Sequence, residues 1–286
     1  MKKRSIAIIM AILAVVLCFT LAACGGDKNT DGNATAGNAT EGNASAGDVV
    51  SDYEDIKADG KLIVGMTIYE PMNYKDENGV LTGFDTELAQ LVGEKLGLEV
   101  EFFEIGDWGQ KFIELKSKNI DCVWNGMTIT DEALNNSSVS MAYVKNEQVV
   151  VMKADVIDDY ADAESMKELK FVAEEGSAGE SAAIDAGFNC TAVQYQQDAL
   201  LEVMSGTADA CVIDSTMAKS MTGEGTSYAD LDYSIALVSE QYGISFRQGS
   251  DMTEKVNGIL KDIAADGTLK ALAEKYELTL ADELAA

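Results

Sequence analysis

Residues 61–124 alternate between two hydrophobic periods. Short runs of apolar and β-branched residues have the composition of buried strands, whereas the segments between them space apolar residues as amphipathic helices do. Asp85 stands where a capping side chain would begin the first of these helices. The order strand, helix, strand, helix, strand predicts a parallel sheet with helices on both faces. The segments are KLIVGM (61–66), FDTELAQLVGEKLG (84–97), LEVEFFEI (98–105), WGQKFIELKSKN (108–119) and IDCVW (120–124).

The same order of elements recurs further along the chain. Two α/β lobes in tandem predict a ligand crevice between them, outside the carboxyl ends of the strands. After a short YGISFRQGS segment, an amphipathic helix follows with Met252 and Leu260 on one face, and a final helix runs to Tyr276. The repeated segments are LKFVAEE (169–175), SAGESAAIDAG (177–187), CTAVQY (190–195), QDALLEVMSGT (197–207) and ADACVID (208–214).

The N-terminal segment has a different pattern. Three basic residues precede a nearly unbroken apolar run from Ile6 to Leu21, which has the length of a signal peptide and is short for a membrane span. The run ends in Leu-Ala-Ala-Cys, which resembles the lipobox of bacterial lipoproteins. We therefore predict a lipoprotein signal peptide over 1–23 and lipid attachment at Cys24. Ordinary secretory cleavage after Ala23 and an uncleaved anchor are the alternatives.

Residues 24–50 predict a disordered tether. The five-residue repeat GNATAGNATEGNASA has no large apolar side chain, so it cannot bury enough surface to offset its ordering entropy. Asn33, Asn38 and Asn43 each begin an Asn-x-Ser/Thr pattern, which we interpret as linker composition rather than as glycosylation sites. The folded body is therefore expected on the extracytoplasmic face of the cell membrane, held there by a lipid anchor.

The charge of the chain restricts its partners. The formal net charge is −28, and removal of segment 1–23 leaves 18 basic against 49 acidic residues, a net charge of −31. Such a protein is a poor partner for nucleic acid and anionic lipid. The chain has no histidine, which excludes Ser-His and Cys-His nucleophilic triads and the commonest zinc sites. We expect no metal ion and no cofactor.

Three cysteines follow Cys24. Cys122 and Cys211 stand in apolar, strand-like runs, where a buried free thiol is the expected state. An oxidising exterior would permit a bridge between Cys190 and Cys211, but an odd number of cysteines predicts no disulfide framework.

Four stretches carry a resemblance that runs in order from Lys61 to Tyr276: GVLTGFDTELAQLVGEKLG, LKSKNIDCVWNGMTIT, YGISFRQGS and DGTLKALAEKY. They resemble the polar-amino-acid class of solute-binding lipoproteins of bacterial ABC importers. The resemblance implies a periplasmic-binding-protein-like type II fold, with two Rossmann-like α/β lobes joined by two hinge crossings. Lobe 1 would comprise 61–143 and 243–286, and lobe 2 would comprise 146–240. It also implies a monomer without enzymatic activity, which binds a small polar solute and delivers it to an importer permease.

The resemblance further implies aromatic walls for the solute. Tyr69 matches an aromatic side chain that packs on the ligand, with a position on the lobe surface as the alternative. Trp108 matches a second wall, with a place in the core as its alternative. Trp124 ends its strand and either flanks the pocket or fills lobe 1.

Polar groups of both lobes match the same family pattern. In NGMT, Asn125, Gly126 and Thr128 match the segment whose backbone and hydroxyl groups line the cleft, since a strand that ends in glycine lets a ligand approach closely. In EEGSAGES, Ser177 and Gly179 match a loop at a helix start, where free N–H groups favour a carboxylate. The alternative for both segments is an ordinary turn or helix cap.

The charged positions depart from the family pattern. Asp214 matches an aspartate that accepts hydrogen bonds from a ligand ammonium, or it caps a helix. The family usually places a carboxylate-binding arginine at the position of Ala133, and after the signal peptide no arginine precedes Arg247. Glu70 adds a further carboxylate. Either backbone N–H groups hold a ligand carboxylate unaided, or the ligand is mainly positive, and we predict an amine-bearing amino acid or derivative.

Two other classes of function stay open. The same two-lobe fold hosts dehydratases with a cleft carboxylate as general acid, a part that Glu70, Asp107 or Asp214 could play. A lipoprotein sensor that docks onto a receptor kinase would have the same sequence features. The lipid anchor and tether suit capture of a solute better than turnover.

Overall fold

The structure is a computed structural model that describes residues 51–285, so the predicted signal peptide and the whole of the predicted tether, with Cys24, lie outside the described residues. No helix in the described range is long and apolar enough to cross a membrane. The helices are α1 (Asp52–Asp59), α2 (Phe84–Leu96), α3 (Lys111–Lys116), α4 (Asp131–Asn136), α5 (Ala178–Asp185), α6 (Gln196–Ser205), α7 (Ser215–Met221), α8 (Met252–Ala265) and α9 (Thr268–Lys275). The strands are β1 (Lys61–Met66), β2 (Tyr74–Lys75), β3 (Leu81–Thr82), β4 (Glu99–Glu104), β5 (Cys122–Val123), β6 (Ser138–Val139), β7 (Val144–Lys153), β8 (Lys170–Glu174), β9 (Asn189–Val193), β10 (Ala210–Asp214), β11 (Leu231–Tyr242) and β12 (Ser245–Phe246).

Five strands form the first sheet, in the order β4-β1-β5-β12-β6. β1 runs parallel to β4 and β5, whereas β12 is antiparallel to β5 and β6. The chain between β1 and β4 contains the β2–β3 hairpin and α2. The helix α2 packs inward because Phe84, Leu88 and Val92 form a fully buried stripe along it.

The second sheet has the order β11-β7-β10-β8-β9. β10, β8 and β9 are parallel, and β7 runs antiparallel to β10 and β11. The chain passes from the first sheet to the second between β6 and β7 and returns between β11 and β12. We propose that these two layers are the predicted lobes, with lobe 1 comprising 61–143 and 243–286 and lobe 2 comprising 146–240.

Aromatic side chains link the two layers beside the crossings. Phe84 stacks on Tyr143 with ring centroids 6.1 Å apart, and the Tyr143 and Tyr242 centroids are separated by 6.4 Å. All three rings are fully buried, and their hydrophobic cluster also contains Val149 of β7 and Met217 of α7. The two sheets therefore share one core at the point where the chain changes layer.

The predicted order of strands and helices is confirmed in both layers, with differences in detail. β1 has the predicted bounds, and α2 ends one residue earlier than predicted. The predicted helix over 108–119 is a 3₁₀ turn (Trp108–Gln110) followed by α3. The prediction that Asp85 caps α2 is wrong, because Gly83 holds the cap position and the Asp85 side chain is fully buried.

The three cysteines of the described region are free thiols. Cys122 and Cys211 are buried, as predicted for cysteines in apolar strands, and Cys190 is half-buried. No bridge joins Cys190 to Cys211.

A buried ion-pair network ties the N-terminal helix to the first sheet. The Arg247 guanidinium lies 3.0 Å from Asp52 and 3.0 Å from Asp121, and it donates to the Ile120 carbonyl at 2.8 Å. The Asp52 side chain is only 1% exposed. Its charge therefore depends on Arg247 for compensation, since water cannot reach it.

We expect the Arg247→Met substitution to lower the free energy of unfolding by about 3–5 kcal/mol, because it leaves the Asp52 carboxylate buried and unpaired. The matched control is Lys61→Met, which removes the partner of Glu101 in a pair whose side chains are 47% and 56% exposed. That loss should be much smaller, because water screens an ion pair at the surface. Urea unfolding of both variants gives the comparison, and equal losses would refute the assignment.

Candidate ligand-binding site

A cavity of about 300 Å³ lies between the two sheets. Its walls come from segments that follow β1, β4 and β5 of the first sheet and from the carboxyl ends of β8 and β10 of the second. Parallel strands deliver their carboxyl ends to the same edge of a sheet, which is where α/β folds place their ligands. The volume is at the small end of the range for ligand sites.

Two aromatic side chains form walls of the cavity. Tyr69 follows β1, and its hydroxyl contacts the Thr216 hydroxyl and lies 2.6 Å from the Tyr242 hydroxyl. Trp108 opens the 3₁₀ turn after β4, which the Asp107 carboxylate caps. The Tyr69 hydroxyl is thus engaged within the protein, so its ring is the part available to pack on a ligand.

The loop after β5 brings backbone groups to the cavity. Gly126 has a φ of +53°, and a Cβ at this position would lie 2.6 Å from the Tyr69 ring, so glycine is required there. Asn125 is held by Thr67 and Asn73, whose side chains contact its amide at 2.8 and 2.7 Å. Thr128 donates its hydroxyl to Glu240 at 2.8 Å, across to lobe 2.

A buried carboxylate lies beneath this loop. The Asp85 Oδ2 atom accepts the Gly126 N–H at 2.6 Å and the Tyr143 hydroxyl at 3.0 Å. Burial raises the Asp85 pKa to about 7, and these two hydrogen bonds counteract the rise. Asp85 does not reach the cavity, but it positions the backbone that does.

Lobe 2 contributes the start of α5. Ser177 is the helix N-cap, with its hydroxyl accepting the Glu180 N–H at 3.0 Å, and it lines the cavity. Gly179 lies behind it, where a Cβ would be 2.7 Å from the Val212 carbonyl oxygen. Gly179 therefore allows α5 to pack on β10 and does not itself line the cavity.

Asp214 ends β10 and receives four hydrogen bonds. Its Oδ1 atom accepts from Asn146 at 2.6 Å, Gln148 at 2.9 Å and Tyr242 at 2.7 Å. Oδ2 accepts only from Gln196, at 2.6 Å, which leaves it capacity for a further donor in the cavity. Although Asp214 precedes α7, its side chain makes no capping hydrogen bond.

The acidic groups around Asp214 hold protons more tightly than usual. Burial raises the Asp214 pKa, and the Glu240 carboxylate, which shares the Asn146 and Gln148 amides, raises it further. Glu174 ends β8 and is only 3% exposed. Burial, followed by the charge of Asp214, raises the Glu174 pKa to about 8. Both carboxylates would be better stabilised in their charged form by a cation in the cavity.

The charge of the cavity differs in one respect from the charge predicted from the sequence. Ala133 lines it without charge, and Arg247 is remote from it, but Lys111 of α3 lines the wall. The cavity therefore contains one cationic side chain and a larger number of carboxylates. The charged side chains that line it are Lys111, Asp131, Glu132, Glu174 and Asp214.

Among the predicted site residues, three do not line this cavity. Glu70 lines a separate groove and accepts the Ser220 hydroxyl at 3.1 Å. Trp124 is fully buried in the hydrophobic core that the two sheets share, and Gly179 packs behind the wall. The predicted residues that do line it are Tyr69, Trp108, Asn125, Gly126, Thr128, Ser177 and Asp214.

The family model of the bacterial extracellular solute-binding proteins, family 3, matches residues 62–279. The chain belongs to this family. Its two-layered α/β architecture is the periplasmic-binding-protein-like type II fold, as the resemblance implied.

Three similar proteins support the membership. The arginine-binding extracellular protein ArtP of Bacillus subtilis (strain 168) is 30% identical over 230 residues, which cover 76% of this chain and 86% of ArtP. The L-cystine-binding protein TcyA of the same strain is 30% identical over 280 residues, which cover 96% and 97% of the two chains. The crystal structure of the ancestral amino acid-binding protein AncCDT-1, described as a precursor of cyclohexadienyl dehydratase, matches with a TM-score of 0.72 and 31% identity, covering 79% and 99%.

Several residues that line the cavity of this family-3 solute-binding protein were not predicted from its sequence, among them Glu174, Gln196 and Lys111. Glu174 could have been found, because it stands at the carboxyl end of a parallel strand, the edge where ligands bind. Gln196 opens α6 and bonds Asp214, and Lys111 lies one helical turn after Trp108. A helical pattern shows that Lys111 shares a face with apolar residues, but it does not show that this face meets a cleft.

We expect the free energy of unfolding of the ligand-free protein to fall as the pH rises from about 4 to about 7, in part because of Asp85. Over this range the Asp85 side chain is ionised in the unfolded chain but keeps its proton in the folded protein. The contribution of Asp85 therefore lowers the free energy of unfolding by up to about 4 kcal/mol. The Asp85→Asn variant should have a flatter pH profile in urea unfolding, whereas the exposed control Asp158→Asn should retain the wild-type slope. A wild-type slope in Asp85→Asn would contradict this role.

Proposed function

We propose that this protein captures a small, amine-bearing amino acid or close derivative outside the cytoplasm and delivers it to the permease of an ABC importer. One observation carries the proposal: the cavity combines aromatic walls with four carboxylates and a single ammonium. Membership in a family of extracellular solute-binding proteins supports capture as the activity.

The charges of the cavity favour a ligand with an ammonium group. The side-chain carboxyl group of Glu174 accepts no hydrogen bond within the described residues 51–285, and Asp214 Oδ2 retains capacity for one. A buried ammonium would meet two acceptors from lobe 2, whereas a ligand with acidic side chains would add negative charge beside them. Cationic and neutral amino acids should therefore bind better than aspartate or glutamate.

The similar proteins agree with this ligand class. ArtP is described as arginine-binding and TcyA as L-cystine-binding, and both ligands carry α-ammonium groups. We extend only the class of ligand, an amino acid, from these proteins to this chain.

We further propose that a lipid on Cys24 holds the protein at the extracytoplasmic face of the membrane, with residues 24–50 as a tether. Two acyl chains anchor a protein stably, where one chain gives only marginal binding. A tethered monomer would search the volume near a permease without diffusing away. This arrangement would equally serve a sensor that docks onto a receptor kinase.

The dehydratase alternative is favoured by one observation. The pKa of Glu174 is raised to about 8, so this buried carboxyl keeps a proton at neutral pH, as a general acid must. We favour capture because a ligand cation beside the buried Glu174 carboxyl group would equally stabilise its charged form. Mass spectrometry of ligands recovered after incubation separates the two functions, since a dehydratase would return a product lighter by one water.

In a thermal-shift panel of amino acids, amines, nucleosides and sugars, we expect cationic and neutral amino acids to raise the melting temperature most. Asp214→Asn should weaken binding of the best ligand by roughly 100-fold in calorimetry, because the buried ammonium loses its charged partner. Glu70→Gln, outside the cavity, should leave the affinity within about twofold. Stabilisation by acidic amino acids or sugars alone would contradict the proposal.

We expect Cys24→Ala to abolish incorporation of a palmitate analogue and to leave the protein either uncleaved or released into the medium. Cys190→Ala, which also removes one thiol, should be labelled like the wild type. Metabolic labelling followed by fractionation measures both effects. A wild-type protein that takes up no label would show that the lipobox interpretation is wrong.

A further inference from the structure

Lys111 is the only lysine or arginine among the described residues that lines the cavity. It begins α3, one helical turn after Trp108, and the whole residue is 5% exposed. A lysine is rarely so buried without a charged partner. Its position in the wall of a ligand cavity therefore calls for an explanation.

The partners of Lys111 are neutral. Its ammonium donates to the Gly176 carbonyl at 3.0 Å and to the Trp108 carbonyl at 3.4 Å. It also lies 5.0 Å and 5.1 Å from the ring centroids of Trp108 and Phe112. Two of its three N–H donors are used by these carbonyls, and the third has no partner within residues 51–285. Lys111 forms no ion pair in this part of the chain, so its charge has no anionic partner.

An uncompensated buried ammonium is costly, and an anion in the cavity would remove the cost. The nearby carboxylates do not supply that anion, because none reaches ion-pair distance. Burial lowers the Lys111 pKa, while the charges of Glu132, Glu174 and Asp107 act in the opposite direction from further away. The cavity thus holds the Lys111 ammonium on the lobe 1 side and the Glu174 and Asp214 carboxylates on the lobe 2 side, and the lobe 1 carboxylates Asp131 and Glu132 form no ion pair with Lys111 either.

We propose that Lys111 binds the carboxylate of the ligand, while Glu174 and Asp214 bind its ammonium. The proposal rests on the function above and specifies it: the ligand is a zwitterion, in which both the carboxylate and the amine are recognised by charge. Lys111 would then supply the positive charge that Ala133 lacks. It would do so from a different helix, α3 rather than α4.

The geometry also gives Lys111 a part in closing the site. Lys111 belongs to lobe 1 and Gly176 to lobe 2, so their hydrogen bond crosses the cleft beside the ligand. The backbones meet closely there, since a Cβ on Gly176 would lie 2.7 Å from the Gly109 Cα atom. A carboxylate that binds Lys111 from the cavity would be enclosed by this contact and shielded from water.

The test compares each amino acid with the amine that remains when its carboxylate is removed. The pairs are arginine with agmatine, lysine with cadaverine, and histidine with histamine. For pairs that bind, we expect calorimetry to show the wild type preferring the amino acid by about 100-fold. Lys111→Met should reduce this ratio to about threefold or less by weakening the amino acid, with the amine unchanged or tighter.

Three variants control the comparison. Lys116→Met changes an exposed lysine of the same helix and should keep the wild-type ratio. Lys111→Arg retains the charge and should keep most of the preference for the amino acid over its amine. If Lys111→Met acted only by disturbing the packing, this dependence on charge would not be expected. Glu174→Gln should weaken the amino acid and its amine together, so the ratio stays.

The outcomes separate this inference from the proposed function. If Lys111→Met weakens each amino acid and its amine equally, or if the wild type binds both equally, Lys111 is not the carboxylate partner and amino-acid capture stands. If the wild type binds no amino acid of the panel, the proposed function fails and this inference with it. Circular dichroism establishes that the variants fold, and Lys111→Gln replaces Lys111→Met if the latter does not.

Discussion

The buried carboxylate of Asp214 is the point on which the site depends. It lies at the end of β10 and collects donors from β7, through Asn146 and Gln148, and from the end of β11, through Tyr242. The Tyr242 hydroxyl in turn contacts that of Tyr69 in lobe 1. Because a buried carboxylate is stable only when it is hydrogen-bonded, these strands and the first aromatic wall are held in one arrangement.

The same network sets the electrostatic character of the cavity. Glu240 accepts from the Asn146 and Gln148 amides that also bind Asp214, and it takes the Thr128 hydroxyl from lobe 1. Two carboxylates that share donors repel one another in a region of low dielectric. Burial and this repulsion raise the Asp214 pKa, and a cation in the cavity would favour its charged form and stabilise the fold.

The two lobes contribute complementary halves of this arrangement. Lobe 1 supplies the loop at Gly126, which Asp85 holds from below, and the cation Lys111. Lobe 2 supplies the carboxylates of Glu174 and Asp214, and lobe 1 adds those of Asp131 and Glu132. The Gln194 side chain donates to the Gly106 carbonyl at 2.8 Å, which adds a further polar contact across the cleft. Since residues of both lobes line the cavity, we propose that closure of the lobes on a ligand completes the site, as in other hinged binding proteins.

Sequence by itself determined the elements and the family of this protein. The periods of β1, α2 and the later strands are local, so apolar spacing reports them directly, and the glycine and aromatic motifs lie within single segments. Only the tertiary structure decided which residues meet the ligand. It placed Lys111 and Glu174 in the cavity wall, and Glu70 and Trp124 away from it. Periodicity identifies a buried face, but whether that face meets a core or a cleft depends on elements distant in the chain, which pack there only in the folded protein.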